Sequence, residues 1–327
     1  MTQPLLRIES LRVDFPTDDG VVHAVDGVDL EVFPGEIVAV VGESGSGKSV
    51  TAMSVLRLLR EPPARVSADV LTFRDHDLRT LSPADLRALR GGPVGMIFQD
   101  PMTALNPVMT IGDQIAEAVL LHQAERDRRA ARRRAVDLLG LVGVPDAAQR
   151  ARQYPHEFSG GMRQRAMIAM AIANDPDLII ADEPTTALDV TIQAQVLELV
   201  RKAQRETGAA TVLITHDLGV VAELADRVVV MYAGRVVETA GVEALFAQPR
   251  HPYTVGLLAS LPRMDIDTDE LNAIPGNPPN MIDPPSGCPF HPRCPLARER
   301  CVTERPGLRE VAPGRRSACH YAEEVGT

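Results

Sequence analysis

The sequence predicts an α/β fold: a largely parallel sheet with an antiparallel β portion before it, a helical portion within it and a loop-rich tail after it. Three observations carry this. From about residue 37 to 238, apolar runs of strand length alternate with segments of helical spacing, as in strands joined through crossover helices. Leu5 to Phe15 and Val21 to Phe33 alternate apolar and polar residues around Pro16-Thr-Asp-Asp-Gly20, a hairpin signature. Beyond residue 240 prolines crowd, periodicity fades, and all four cysteines appear.

Each element follows from local pattern. Pro34-Gly35 makes a turn, and Ile37 to Val41 is near-continuously apolar, as a strand buried on both faces is. A glycine-rich loop, Gly42 to Gly47, comes next, and Ser49 to Arg60 sets Met53, Leu56 and Leu59 at helical spacing. Residues 61–98 are mixed and end in a strand, Val94 to Phe98. Helices are expected at Ile111 to Gln123, Glu125 to Gly140, Met162 to Ala173, Val190 to Arg205 and Leu218 to Ala225. Strands are expected at Leu178 to Ala181, Thr211 to Ile214, Val228 to Tyr232 and Val236 to Glu238. The compositional shift places a domain boundary near Thr239, giving domains 1–239 and 240–327 with a helical part at about 100–162. No internal repeat of fixed period is present.

Bulk properties exclude several functions. The 327 residues carry a formal net charge of −10, which argues against nucleic acid as a partner. No run of 18 apolar residues occurs, and Met1 to Leu11 lacks a basic segment followed by an apolar core. A cytoplasmic protein is expected, tied to a membrane only through partner chains. Four clustered thiols in a reducing compartment read as metal ligands rather than disulfides.

Two motifs carry chemistry by themselves. Gly42-Glu43-Ser44-Gly45-Ser46-Gly47-Lys48-Ser49 fits G-x-x-x-x-G-K-[ST] between a buried strand and a helix. Backbone N–H groups there can wrap phosphates, Lys48 can reach the β- and γ-phosphates of ATP, and the Ser49 hydroxyl can bind Mg²⁺. Leu178-Ile-Ile-Ala-Asp182-Glu183 is an apolar strand ending in two carboxylates. Asp182 suits Mg²⁺, and Glu183 suits polarisation of an attacking water.

Phe158-Ser159-Gly160-Gly161-Met162-Arg163-Gln164-Arg165 resembles the signature motif of ABC ATPases, usually LSGGQ, with Phe158 for Leu and Met162 for Gln. Seventeen residues separate Gln164 from Asp182, in the family's order. Over about residues 5–238 the chain is thus similar to that branch of the P-loop NTPases. The resemblance implies an ATPase with an antiparallel β subdomain and a helical subdomain. It implies that Gln99 is the glutamine sensing Mg²⁺ and water, and that His216 contacts the γ-phosphate. Ala187-Leu188-Asp189 matches the family's D-loop. Val50 joins the phosphate loop, and Phe15 is the candidate to stack on adenine, with His23 the alternative. Ser159, Gly160, Gly161 and Asp189 act across the interface on ATP held by the opposite subunit.

ADEPTTALDVTIQAQ around Asp182, Gln99-Asp-Pro-Met-Thr-Ala-Leu-Asn-Pro107, and His251-Pro-Tyr-Thr254 with Leu257 to Pro262 resemble dipeptide/oligopeptide importer ATPases of the first of two paralogous types. This implies peptide import at the cytoplasmic face of the plasma (inner) membrane. The implied partners are a second ATPase subunit (a paralogue, in a heterodimer), two transmembrane permease subunits and an extracytoplasmic peptide-binding protein. A nickel-type cargo is the main rival, and a non-transport ABC ATPase the remote one. Arg126 to Arg134 reads as a solvated helix face, or else as a contact for anionic lipid.

Cys288, Cys294, Cys301 and Cys319 are separated by five, six and seventeen residues, with no C-x-x-C pair. The resemblance extends to this pattern in the tail. Four thiolates suit a [4Fe–4S] cluster or Zn²⁺, and His291 or His320 could replace one of them. A structural role is expected, because a proline-dense segment of ~80 residues gains from a staple.

Overall fold

A computed structural model describes residues 3–122, 127–185, 190–260 and 274–326. In chain order the strands are β1 (Leu6–Thr17), β2 (Gly20–Val32), β3 (Ile37–Val41), β4 (Arg65–Ser67), β5 (Val70–Phe73), β6 (His76–Asp77), β7 (Val94–Ile97), β8 (Leu178–Asp182), β9 (Ala210–Ile214), β10 (Arg227–Tyr232), β11 (Arg235–Gly241), β12 (Arg309–Ala312) and β13 (Arg315–Ser317). The helices are α1 (Lys48–Val55), α2 (Pro83–Leu89), α3 (Pro101–Ala104), α4 (Ile111–His122), α5 (Arg128–Leu141), α6 (Ala147–Arg150), α7 (Gly160–Ala171), α8 (Val190–Thr207), α9 (Leu218–Leu224), α10 (Val242–Ala247), α11 (Pro252–Ala259) and α12 (Glu299–Thr303). No helix among the described residues is long and apolar enough to cross a membrane.

The chain divides into two compact units. One comprises Met1–Leu5, Val32–Glu36 and Arg74–Ile214; the other comprises Leu6–Glu31, Ile37–Phe73 and Thr215–Thr327.

In the first unit β7, β8 and β9 are parallel neighbours, in the register Gly95, Ile179, Thr211. Every residue of β8 is buried, as its unbroken apolar run requires. Polar side chains cap the helices here. Ser82 accepts from the Asp85 N–H at the start of α2, Asp100 from Met102 at α3, and Ser159 from Met162 at α7. Each satisfies an N–H that the helix itself cannot. In α5, Arg132 pairs with Asp113 and Arg134 with Asp175, so part of the arginine run is spent on neighbouring carboxylates. Arg126 lies outside the described residues.

In the second unit β1 pairs antiparallel with β4 and β5 and has β2 as its other neighbour. A further sheet runs β12, β13, β11, β10, β3. β3 and β10 are parallel, and the others are antiparallel. The expected boundary residue Thr239 lies inside β11, paired with Arg316 of β13, and the Ala318 N–H donates to the Val237 carbonyl. The tail therefore continues the sheet instead of standing apart from it.

α1 ends at Val55, five residues short of the expected helix. The Leu58 N–H reaches back to the Met53 carbonyl and the Arg57 N–H to that of Ser54, a Schellman closure with Arg57 at φ +49°. That position usually holds glycine, so the residue at 57 gives no stop signal.

One hydrophobic core joins β3, β10, α9 and the tail: Ala39, Val41, Leu218, Val221, Val228, Val230, Tyr232, Tyr253, Phe290, Cys288 and Cys301 are all buried in it. The ring centroids of Tyr232 and Tyr253 lie 4.5 Å apart, and those of Tyr232 and Phe290 5.2 Å apart. His251 caps α11 from inside this core. Its Nδ1 accepts from the Tyr253 N–H, and the ring also bonds the backbone at Ala318, so the neutral ring is satisfied on both nitrogens. Burial pushes this imidazole down to about 3.

Two predictions follow from packing and burial. Ile179 is fully buried in β8. Ile179→Val is expected to cost about 0.5–1.5 kcal/mol and Ile179→Ala about 2–5 kcal/mol in chemical denaturation, and equal effects would contradict the packing. An unfolded chain protonates His251 as pH falls through about 6.5, whereas the folded chain resists until about 3. Stability is therefore complete above the first value and is lost as pH falls from it toward the second. The thermal midpoint of wild type should drop more steeply than that of His251→Asn between about pH 6.5 and 5; parallel slopes would refute the assignment.

Candidate nucleotide site and cysteine centre

The phosphate loop leaves β3 at Gly42, in the second unit. Gly42 has φ +153°, and a Cβ there would sit 2.1 Å from the Met231 carbonyl oxygen. Gly47 has φ +98°, and its Cβ would meet the Ala24 carbonyl at 2.6 Å. Both positions exclude a side chain because backbone passes directly behind the loop. Ser44 and Gly45 are exposed, whereas Lys48 is 5% exposed. The Lys48 ammonium donates to the carbonyls of Gly42 (2.8 Å) and Glu43 (2.9 Å), so it is held over the loop. Ser49 and Val50 follow in the first turn of α1.

Glu43 is held by the tail. Arg293 donates to both of its carboxylate oxygens, at 2.7 and 2.9 Å, and the Glu43 N–H donates to the Tyr253 hydroxyl at 2.8 Å. The Arg293 side chain is 5% exposed and also donates to the Pro275 carbonyl at 3.0 Å. The Glu43 carboxylate raises the Arg293 pKa, and burial raises that of Tyr253. Sequence reasoning missed both partners. The one local signal is the carboxylate itself, an anion within a phosphate-binding loop, and its counter-ion lies 250 positions away.

Elsewhere in this unit, His216 is exposed just before α9. The Thr215 N–H bonds the Val40 carbonyl, and Asp217 caps α9 through the N–H groups of Gly219 and Val220. Phe15 is half-buried on β1. The alternative, His23, is paired with Asp14 at 2.8 Å.

The first unit holds a second set. Asp182 ends β8 and is 5% exposed. Glu183 follows at φ +45°, with its N–H on the Ile214 carbonyl at 2.9 Å. This left-handed backbone costs a residue other than glycine ~1–2 kcal/mol and re-aims the side chain away from the strand direction. The Gln99 amide donates to the Glu183 carboxylate at 2.9 Å, which brings together two residues 84 positions apart. Ser159 and Gly160 are exposed at the start of α7, above the buried Phe158. Phe158 therefore replaces leucine as a core anchor, leaving the serine and glycines facing out. Asp189, with Ala187 and Leu188, lies outside the described residues.

The four cysteines line one small pocket in the second unit, together with His251, Phe290, His291, His320 and Tyr321. The sulfurs of Cys288, Cys294 and Cys319 each accept the N–H two residues on, from Phe290, Leu296 and Tyr321. Burial pushes the Cys288 and Cys319 thiols up to about 11 and raises that of Cys294, and the neighbouring thiols add to each shift. Each of the two alternative histidines bonds a backbone carbonyl: His291 Nδ1 that of Cys288, and His320 Nε2 that of Glu304. Among the described residues, no three such donors close on a single-ion position.

Comparison with known proteins agrees with this geometry. Residues 25–186 match the family described as ABC transporter, and residues 237–301 match the oligopeptide/dipeptide transporter C-terminal region. The chain is 52% identical to the dipeptide transport ATP-binding protein of Bacillus subtilis (strain 168), covering 93% of this chain and 91% of that one. It is 51% identical to the dipeptide transport ATP-binding protein of Escherichia coli (strain K12), covering 97% and 96%. Among solved structures, a dimeric ATP-binding cassette in a post-hydrolysis state bound to ADP and Pi superposes with a TM-score of 0.63 at 26% identity, over 72% of this chain and 98% of that one. With its phosphate loop, signature helix and carboxylate strand in this order, and a tail of the transporter type, the chain belongs to the ATP-hydrolysing subunits of the ABC transporter family.

Proposed function

We propose that this ATPase powers import of dipeptides or oligopeptides through a binding-protein-dependent transporter. The observation that carries this is the joint match of an ATP-binding cassette and an oligopeptide/dipeptide-type tail in one chain, at 51–52% identity to dipeptide transport ATP-binding proteins along nearly their full length. The partners are two permease subunits, an extracytoplasmic peptide-binding protein, and a paralogous ATPase that completes a heterodimer at the cytoplasmic face of the membrane. Phe98, Met102, Val108 and Tyr154 are large, apolar and exposed in the segment after the Gln99 strand and beyond, and they suit a permease contact there. Residues 1–239 act as the ATPase domain and 240–327 as the extension.

Each motif then has one task. The N–H groups of residues 44–50 cradle the phosphates, and Lys48 exchanges its loop carbonyls for phosphate oxygens. Ser49, Asp182 and Gln99 are the Mg²⁺ residues, and the ion when bound neutralises the β- and γ-phosphate charge. Glu183, steadied by the Gln99 amide, accepts a hydrogen bond from the attacking water and orients it. His216 contacts the γ-phosphate, and Phe15 stacks on adenine. Ser159 and Gly160, both exposed, and Gly161, with Asp189, serve the ATP of the opposite subunit. Phosphoryl transfer needs positioning and electrostatics rather than a covalent intermediate.

Cys288, Cys294, Cys301 and Cys319 hold a [4Fe–4S] cluster in this reading. The four cysteines line one pocket, and four thiolates are the number that such a cluster takes. The backbone N–H groups on the sulfurs are the kind of bonds that stabilise thiolates at such a centre. The cluster staples the tail.

Glu183→Gln should bind MgATP but hydrolyse it about 10²–10⁴-fold more slowly, and it should abolish peptide uptake in vesicles reconstituted with permeases and binding protein. Wild-type turnover in this variant would remove Glu183 from the reaction. Protein purified without oxygen should contain about four irons per chain with matching sulfide and broad visible absorbance. One zinc and no colour would make the tail a zinc module.

A further inference from the structure

An anionic side chain in a loop that binds a triphosphate is an electrostatic liability, since like charges a few ångströms apart repel strongly where water is scarce. Glu43 is such a side chain, the second residue of the phosphate loop. Its carboxylate is bidentate to Arg293, whose side chain is 5% exposed and is fixed further by the Pro275 carbonyl (3.0 Å), the Ile274 carbonyl (3.3 Å) and the Tyr232 hydroxyl (3.4 Å). The backbone of the same glutamate is held separately, its N–H on the fully buried Tyr253 hydroxyl at 2.8 Å. Both clamping residues come from the C-terminal extension, and Tyr253 lies in the core that contains β3.

We propose that the C-terminal extension completes the phosphate site: Arg293 cancels the charge of Glu43 so that the loop accepts polyphosphate, and Tyr253 pins the loop backbone at the same residue. Both are positioning residues, acting on ATP through Glu43. His251-Pro252-Tyr253 thereby gains a defined task, because the His251 cap starts the helix that delivers the Tyr253 hydroxyl. Arg293 directly precedes Cys294, so the cysteine loop and the phosphate loop share one tether. The inference rests on the nucleotide reading of the phosphate loop.

The test is MgATP affinity by equilibrium titration of the full-length chain, with metal content and thermal midpoint measured on each sample. Arg293→Met should weaken MgATP binding about tenfold, because it leaves the Glu43 carboxylate uncompensated. Adding Glu43→Gln to that variant should return affinity to within about threefold of wild type, since the charge needing compensation is then gone. Wild-type affinity in Arg293→Met, or a double variant as weak as the single, overturns the proposal. Arg293→Lys keeps the charge but not the bidentate pair, so it should lose less affinity than Arg293→Met, and adding Glu43→Gln should not improve it; a loss as large as that of the methionine variant overturns charge cancellation. Tyr253→Phe should weaken binding a few-fold at unchanged metal content, and unaltered affinity removes the backbone pin. Lys48→Ala separates the two levels. If it binds MgATP like wild type, the nucleotide reading fails; if it alone loses binding while Arg293→Met does not, only the clamp fails.

Discussion

Burial of the Tyr232, Tyr253 and Phe290 rings against one another is the interaction on which the second unit depends. Tyr232 ends β10, which lies parallel to β3, the strand that feeds the phosphate loop. Tyr253 begins α11, and Phe290 sits in the cysteine loop. Large aromatic side chains bury more area than any others and pack at defined angles, so three of them fix three segments with little freedom left. The tail has little core of its own. It borrows that of the nucleotide-binding sheet, adds β12 and β13 to it, and supplies the groups that hold Glu43.

The chemistry-bearing side chains are each held by a few hydrogen bonds. Lys48 donates to two carbonyls of its own loop, bonds that phosphate oxygens can replace. Glu183 stands in a left-handed conformation directly after a fully buried strand, with its N–H tied to the Ile214 carbonyl and its carboxylate to Gln99. Strain at such a residue persists only where surrounding bonds over-determine it. The signature segment works oppositely: Phe158 anchors it inward, and the capping serine and glycines remain accessible.

Charge is distributed with similar economy. The chain is acidic overall, yet α5 opens with a basic run. Asp127 caps that helix, and Asp113 and Asp175 take up Arg132 and Arg134. These exposed pairs contribute little stability. They fit the solvated-face reading of the run.

The sequence by itself determined the α/β class, the strands and helices with strong period, and the residues of the phosphate loop, carboxylate strand and signature helix; it left β4 to β6, α2, α3 and α6 unassigned and read as loop-rich a tail that forms α10 to α12, β12 and β13. The features it determined are local: period-2 and period-3.6 patterns, glycine spacing, and caps such as Ser159 and Asp217 are written within a few positions. What tertiary structure decided lies between distant positions. That α1 closes at Val55 depends on Arg57 accepting a left-handed backbone, which no glycine announces. That residue 239 lies within a strand depends on pairing with a strand 77 positions later. Gln99 meeting Glu183, four thiols meeting around one pocket, and Arg293 meeting Glu43 are long-range too. Periodicity reports which face of a segment is buried and not what it is buried against, so partners separated by 84 or 250 positions become visible only when the chain is folded.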